Sequence, residues 1–390
     1  MMYWIIHIVL LSLFSFLVFR FMKTDLPNWI FWLGLAMKLA AGVVLGLIFF
    51  KYYGSGDTIN FFEYAKNVQD YNGDSQPRTQ FFVRLLRPLV IITGGSYWIT
   101  SLYFSFISFL CFWYGNKVLI TFYPRLKWII AVCFLFIPSV VFWSSGIIKD
   151  SLASASLVVA VVSTIRIYNS KNITLVDVLS ILVAAFLLLK IKHYLLITFI
   201  LFAGVLLSLM LFKKLSRKWK FTSLLIIVVA FFSTQFIHPY LEIDRIPWTL
   251  YQNNKAIIEK SDVEDELDIE LQTETWSEIL SNVPKALHAG LFRPSIYDQT
   301  PIWGWLHRAE NLVLTILVLM SFILVLKEKP SVDWPLLIAS ICGILLLAIL
   351  LPLSTPNFGT LVRYKNAYMP YLFLISFILP YRYIASQTEE

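Results

Sequence analysis

The chain has 390 residues, 58% of them hydrophobic and 14% charged, with a mean hydropathy of +0.72. Soluble domains hold about 45–50% apolar residues, so this composition excludes a soluble protein and describes one embedded in lipid. A formal charge of +8 does not imply nucleic acid as a partner, because no soluble segment carries a basic patch and membrane topology accounts for the excess.

A membrane span needs about 20 mainly apolar residues, and such runs recur along the whole chain. Spans are expected at 3–21, 29–50, 97–116, 128–147, 151–168, 174–190, 194–212, 219–237, 308–326, 334–353 and 366–384. They describe an all-α integral membrane protein of about 11 transmembrane helices forming a single polytopic domain, 1–390. The first run has no basic leader or small-residue cleavage site and reads as a retained span. Only "KIKH" separates the sixth and seventh runs, so a broken element is an alternative there.

Orientation follows from Lys and Arg in short loops. "FKKLSRKWK", with Lys213, Lys214, Arg217, Lys218 and Lys220 and no acid, reads as cytoplasmic. Alternation then places Arg20/Lys23, Lys117/Arg125/Lys127, Arg166/Lys171, Lys327/Lys329 and the C-terminus on the same side, and the N-terminus outside. Both long polar segments, 51–96 and 238–307, fall on the outer side, which points to work at the outer face.

In the first of them, Ile59, Phe61, Phe62, Ala65 and Val68 recur at helical spacing and predict a short interfacial helix over 58–68. The following "FFVRLLRPLVII" is too short to cross and is expected to lie in the headgroup layer or dip in and return. In the second, the acids from Asp262 to Glu278 read as a solvated helix face, lacking the spacing of a calcium loop. Walker A, GxGxxG and HExxH motifs are absent, which argues against a nucleotide-driven pump and a zinc protease. Cys111, Cys133 and Cys342 all sit in apolar runs and suggest neither a disulfide framework nor a metal site.

Within "PSVVFWSSGIIKDSLASASL" the adjacent Lys149 and Asp150 interrupt an apolar stretch. With this topology they face outward, together with Asp57, Glu63, Lys190, Lys192, His193, Arg293, His307, Arg308, Glu310, Arg363 and Lys365. Charges near the membrane are costly unless paired or hydrated, so their collection on one side suggests a site for an anionic headgroup. Each has a simpler alternative. Asp57 and Asp150 precede helices and could be N-caps; Lys149, Lys190 and Lys192 could snorkel to the interface; His193 could be an interfacial histidine. Lys38, mid-span, is expected to pair with an acid inside the bundle.

The chemistry that would use these groups is sugar transfer from a lipid-linked donor. Arg and Lys hold phosphate oxygens by charge-assisted hydrogen bonds, and an acceptor hydroxyl needs a carboxylate to take its proton. Asp57 suits the base role, Lys149, Lys192, Arg293 and Arg363 suit phosphate, and Asp150 and Glu310 suit orienting those cations or a divalent metal. Tyr64 and its aromatic neighbours offer a sugar platform.

The strings "SGDTINFFEYA", "PSVVFWSSGIIKDSL", "KIKHY", "ALHAGLFRPSIYD" before "ENLVL" and "NFGTLVRYKNAYMP" resemble those of GT-C-type membrane glycosyltransferases and related envelope-polysaccharide polymerases. The resemblance implies a GT-C-like helical fold, a polyprenyl-phosphate or pyrophosphate sugar donor, a first-loop acid as catalytic base (here Asp57), and a place in a bacterial inner membrane. Two features depart from it: the acid follows the second apolar run, and no large soluble segment follows the last one. The competing classes are a secondary transporter or lipid-linked glycan flippase, and a non-catalytic envelope assembly subunit that binds its partner through 238–307.

Overall fold

The computed structural model describes the chain except residues 1, 68–75, 171, 262–265, 299–303, 328–332 and 389–390, and, within 215–241, everything but Leu225, Val229 and Ser233. The expected span 219–237 therefore lies outside the described residues, as do Val68, Lys171, Lys329 and most of the basic run 213–220. Elsewhere the chain is helical, and seven helices are long and apolar enough to cross a membrane. They are Tyr3–Phe21, Asn28–Tyr53, Tyr97–Phe122, Lys149–Asn169, His193–Phe212, Gly304–Leu326 and Trp334–Ser354. This is the architecture of a helical membrane protein, divided into two compact units, Met1–Leu196 and Ile197–Glu390.

In the first unit α1 (Met2–Phe21) and α2 (Asn28–Ile48, continued by a π turn to Tyr53) are followed by two shorter helices, α3 (Asp57–Lys66) and α4 (Pro77–Ile92). The predicted interfacial helix is α3, and the segment with Arg84 and Arg87 is α4. The two pack on each other. Phe61, Phe62, Ala65, Phe82, Val83, Leu86 and Val90 bury a shared apolar face against Tyr97 and Phe104 of α5 (Tyr97–Phe122) and against Ile147. The exposed Arg84 and Arg87 lie on the face left over.

The expected span 128–147 is not one helix. After α6 (Lys127–Ala131) and a π turn, Ile137 is extended (φ −65°, ψ 117°) and α7 starts afresh at Pro138, ending at Trp143. Proline lacks the amide that would continue the ladder and pushes its predecessor out of helical geometry. Ser144–Ile148 is then non-helical and buried, turning through Gly146 at φ +70° before α8 (Lys149–Asn169) begins. Irregular backbone at such a depth is tolerated only when protein satisfies its polar groups. Serines do so here: Ser105 Oγ accepts from the Gly146 amide (2.9 Å), Ser108 Oγ donates to the Ser144 carbonyl (2.6 Å), and Ser151 Oγ donates to the Gly146 carbonyl (2.9 Å).

Helix α9 (Leu175–Ile191) packs antiparallel on α8. Leu175, Leu179, Leu182, Val183 and Phe186 form an exposed apolar stripe down α9. The break expected at "KIKH" falls on Lys192 (φ −145°, ψ 77°), and α10 (His193–Lys214) starts at once.

In the second unit α11 (Ile246–Ile258) and α12 (Trp276–Phe292) pack on α14 (Trp334–Ser354), and α13 (Gly304–Lys327) on α16 (Met369–Thr388). Gly290 lets α12 approach the α14 backbone so closely that a Cβ there would lie 2.0 Å from the Ala348 carbonyl oxygen. Between α14 and α16 lies α15 (Phe358–Lys365), capped by the Asn357 side chain, which accepts from the Thr360 amide (2.9 Å).

The acidic run corrects the expected helix face. Residues 262–265 lie outside the described set, but Leu267, Ile269 and Leu271 are buried while Asp268 and Glu270 are exposed, the period of two of an extended chain. Glu266 forms an antiparallel bridge with Asn357. The fully buried Asn254 holds the segment, donating to the carbonyls of Ile269 (2.9 Å) and Leu353 (2.8 Å) and accepting from the Leu271 amide (3.1 Å).

Candidate functional site

The position of α3 is set at its first turn. Thr58 is fully buried and its hydroxyl meets the Tyr97 hydroxyl at 2.8 Å. Gly56, at φ 136°, takes the N-cap position, so Asp57 is the first helical residue rather than the cap. Asp57 is half-buried there, at the end of the helix where backbone dipoles favour an anion. Residues four and seven further on share its face, so Asp57, Phe61 and Tyr64 form one stripe of α3, buried at Phe61 and open at Tyr64.

Lys149 faces the same stripe. Its ammonium lies 4.8 Å from the centre of the Phe61 ring, a cation–π contact, and donates to Thr79 Oγ1 on α4 at 2.7 Å. It therefore ties α8 to both short helices instead of snorkelling away. The neighbouring Asp150, buried in the first turn of α8 behind the N-cap residue Ile148, forms an ion pair with Lys192. That contact corrects two simpler expectations: Lys192 is buried and paired rather than reaching for solvent, and Asp150 is not the cap of α8. Lys190 is exposed beside Phe186, consistent with snorkelling, and His193 is half-buried next to Tyr194. At the opposite end of the same helix pair, Arg166 meets Asp177 at 3.2 Å, so ion pairs close α8 on α9 at both ends.

Lys38 is buried and meets no acid among the described residues. Its ammonium donates to the Ser144 carbonyl (3.0 Å) and hydroxyl and sits 4.2 Å from the Phe112 ring centre. It thus terminates α7, where the last carbonyls of a helix lack partners.

In the second unit the predicted residues form another cluster, around the end of α12. The Arg293 guanidinium grips Asp298 through Nε (3.1 Å to both oxygens) and Nη2 (2.5 Å) and lies 4.9 Å from the Phe358 ring centre. Burial would raise the Asp298 carboxyl, but hydrogen bonds from Arg293 and the Ser295 amide outweigh it and hold the group below its ordinary range. Lys365 donates to the carbonyls of Arg293 (2.9 Å) and Leu291 (3.4 Å) and to Asn311 Oδ1 (3.1 Å). Burial brings its ammonium down to about 7, with the Glu310 charge opposing the shift. Glu310 is buried, 3.6 Å from His307 Nδ1, and Arg363 is half-buried on α15.

The sequence reading missed Thr79, Asp298, Asn311 and the structural role of Lys365. Asp298 had a local signal, an acid three residues beyond Ser295 in a Pro-containing turn. Thr79 had none. Among the described residues no three His, Cys, Asp or Glu side chains are grouped to hold a metal ion. Comparison of the chain with protein-family models, curated proteins and solved structures finds no match.

Proposed function

We propose that the protein is a membrane glycosyltransferase or polysaccharide polymerase of GT-C-like build. It takes a sugar or glycan from a polyprenyl-phosphate or pyrophosphate donor at the outer face of a bacterial inner membrane, within a bundle of about eleven spans. The observation that carries this reading is the α3 stripe: an acid, Asp57, one helical turn from a ring, Phe61, that bears the Lys149 ammonium, with exposed Tyr64 next along. Asp57 would take the proton from the acceptor hydroxyl as its oxygen bonds to the anomeric carbon. The bond from that carbon to the donor phosphate breaks, and the phosphate leaves with the electron pair, its charge met by Lys149. Lys192 and Asp150 hold that lysine's helix in register and His193 lines the same end. Arg293, Glu310 and Arg363 are proposed, within their own unit, to bind an anionic group of a substrate.

Asp57→Asn leaves the Thr58–Tyr97 anchor intact. In reconstituted vesicles it should cut product formation from a lipid-linked sugar at least about a hundredfold while donor retention persists. Wild-type turnover in that variant would overturn the assignment. A transporter or flippase is the second reading, favoured by the buried break at Ser144–Ile148 and the Lys38 beside it, since broken helices line transport sites. Movement of lipid-linked glycan or solute with no new covalent product would select it.

A further inference from the structure

We infer that the turn between α1 and α2 is a binding site for the phosphodiester headgroup of an anionic phospholipid. A cavity of about 250 Å³ opens there, lined by Arg20, Lys23, Thr24 and Asn28 and backed by Phe31 and Trp113. Arg20 and Lys23 bring two cations to it, with no acid in the lining. Pro27 and Asn28 at the start of α2 also line it: Pro27 at the N-cap supplies no side-chain acceptor and the first turn holds no acid. Such a helix start favours an anion. The cavity wall is held in place from α5, because Trp113 Nε1 donates to the Met22 carbonyl (2.8 Å) and Lys117 Nζ to the Phe21 carbonyl (3.3 Å).

The occupant is a lipid rather than free phosphate because of what adjoins the cavity. Its back wall is aromatic, and below it α1 exposes Leu13, Phe16 and Leu17 in a continuous apolar stripe along which acyl chains can lie. A volume of 250 Å³ exceeds several water volumes of about 30 Å³ each, room for a phosphodiester and its glycerol carbons. The base distribution puts this turn on the cytoplasmic side, where anionic lipids concentrate. The site is independent of the α3 stripe and of the reaction proposed for it.

The test is native mass spectrometry of the full chain in neutral detergent, titrated with phosphatidylglycerol and with phosphatidylcholine of identical chains. Wild type should prefer phosphatidylglycerol, and R20Q/K23Q should lose about tenfold in binding it. The charge-preserving R20K/K23R should keep the preference, as should R84Q/R87Q, which removes two exposed arginines of α4 that do not line the cavity. Retention of the preference by R20Q/K23Q, or equal loss in R84Q/R87Q, would overturn the site. A second measurement needs no variant: phosphatidylglycerol should slow acetylation of Lys23 in the wild-type protein, whereas millimolar inorganic phosphate should not. Absence of protection, or equal protection by inorganic phosphate, would refute a lipid site.

Discussion

Lys38 in the first unit and Lys365 in the second both lie buried against carbonyls at the end of a helix, α7 and α12 respectively. Around them the two units diverge. In the second, Lys365 is supported by Asn311 and the Glu310 charge, and the adjacent arginine, Arg293, is neutralised by Asp298. In the first, the serines of α5 carry the support, Asp150 pairs with Lys192, and Lys149, half-buried like Asp57, is held by Thr79 and the Phe61 ring. Lys38 and Lys365 serve as helix terminators, whereas the buried Lys192 is held by the Asp150 carboxylate. Of the half-buried groups in the first unit, Asp57 begins α3 and Lys149 reaches the Phe61 ring of that helix from α8.

The strongest way to break this contrast is to unpair the first unit. Asp150→Ala leaves Lys192 buried without its carboxylate, and removing one partner of a buried pair typically costs about 3–5 kcal/mol. Thermal unfolding in detergent should show the loss, and Asp150→Leu with Lys192→Met should recover most of it. Next in size is Gly290→Ala, whose Cβ would meet backbone at 2.0 Å and should destabilise by about 3 kcal/mol. Gly42→Ala in the first unit meets the Ser105 hydroxyl at 2.1 Å, a side chain that can rotate, so about 1 kcal/mol is expected.

The pH dependence of Lys365 sharpens the comparison further. Its ammonium titrates near 7 when folded and at an ordinary 10.5 when unfolded. Between those values the unfolded chain binds more protons, so this group makes stability rise with pH from about 7 toward 10. Melting temperature should climb across that window in wild type, and the lysine-dependent part of the slope should vanish in Lys365→Met. The smallest effect is expected from Thr58→Val, which removes one buried hydrogen bond to Tyr97 and should cost about 1 kcal/mol. On the proposed function, the loosened start of α3 should also lower turnover of a lipid-linked sugar.

Much of the helical plan was legible because a span announces itself as roughly 20 apolar residues. α1, α2, α5, α8, α10, α13 and α14 were read that way. The break at Ser144–Ile148 was not, since two serines and a glycine barely change the hydropathy of a window rich in Val, Phe and Ile. The extended segment 266–271 carried its alternation openly in Leu267, Ile269 and Leu271, but the density of acids was read as a helix face. At the site, Asp57 and its position at a helix start were readable, and so was the stripe through Phe61 and Tyr64. The partners were not: Thr79 is seventy residues from Lys149, and Lys38 binds a carbonyl, which every residue possesses.

The interrupted stretch between α7 and α8 bears on how the chain is made. Its long-range partners, Lys38 on α2 and Ser105 and Ser108 on α5, precede it in the chain and so emerge from the ribosome first, with Ser151 following Gly146 by only 5 residues. By the time Gly146 is synthesised, its receptors are already threaded into the bilayer, and vectorial insertion spares the polar kink a stay in bare hydrocarbon. A circular permutant opened between α5 and α6 would reverse that order and leave the kink waiting for its hosts.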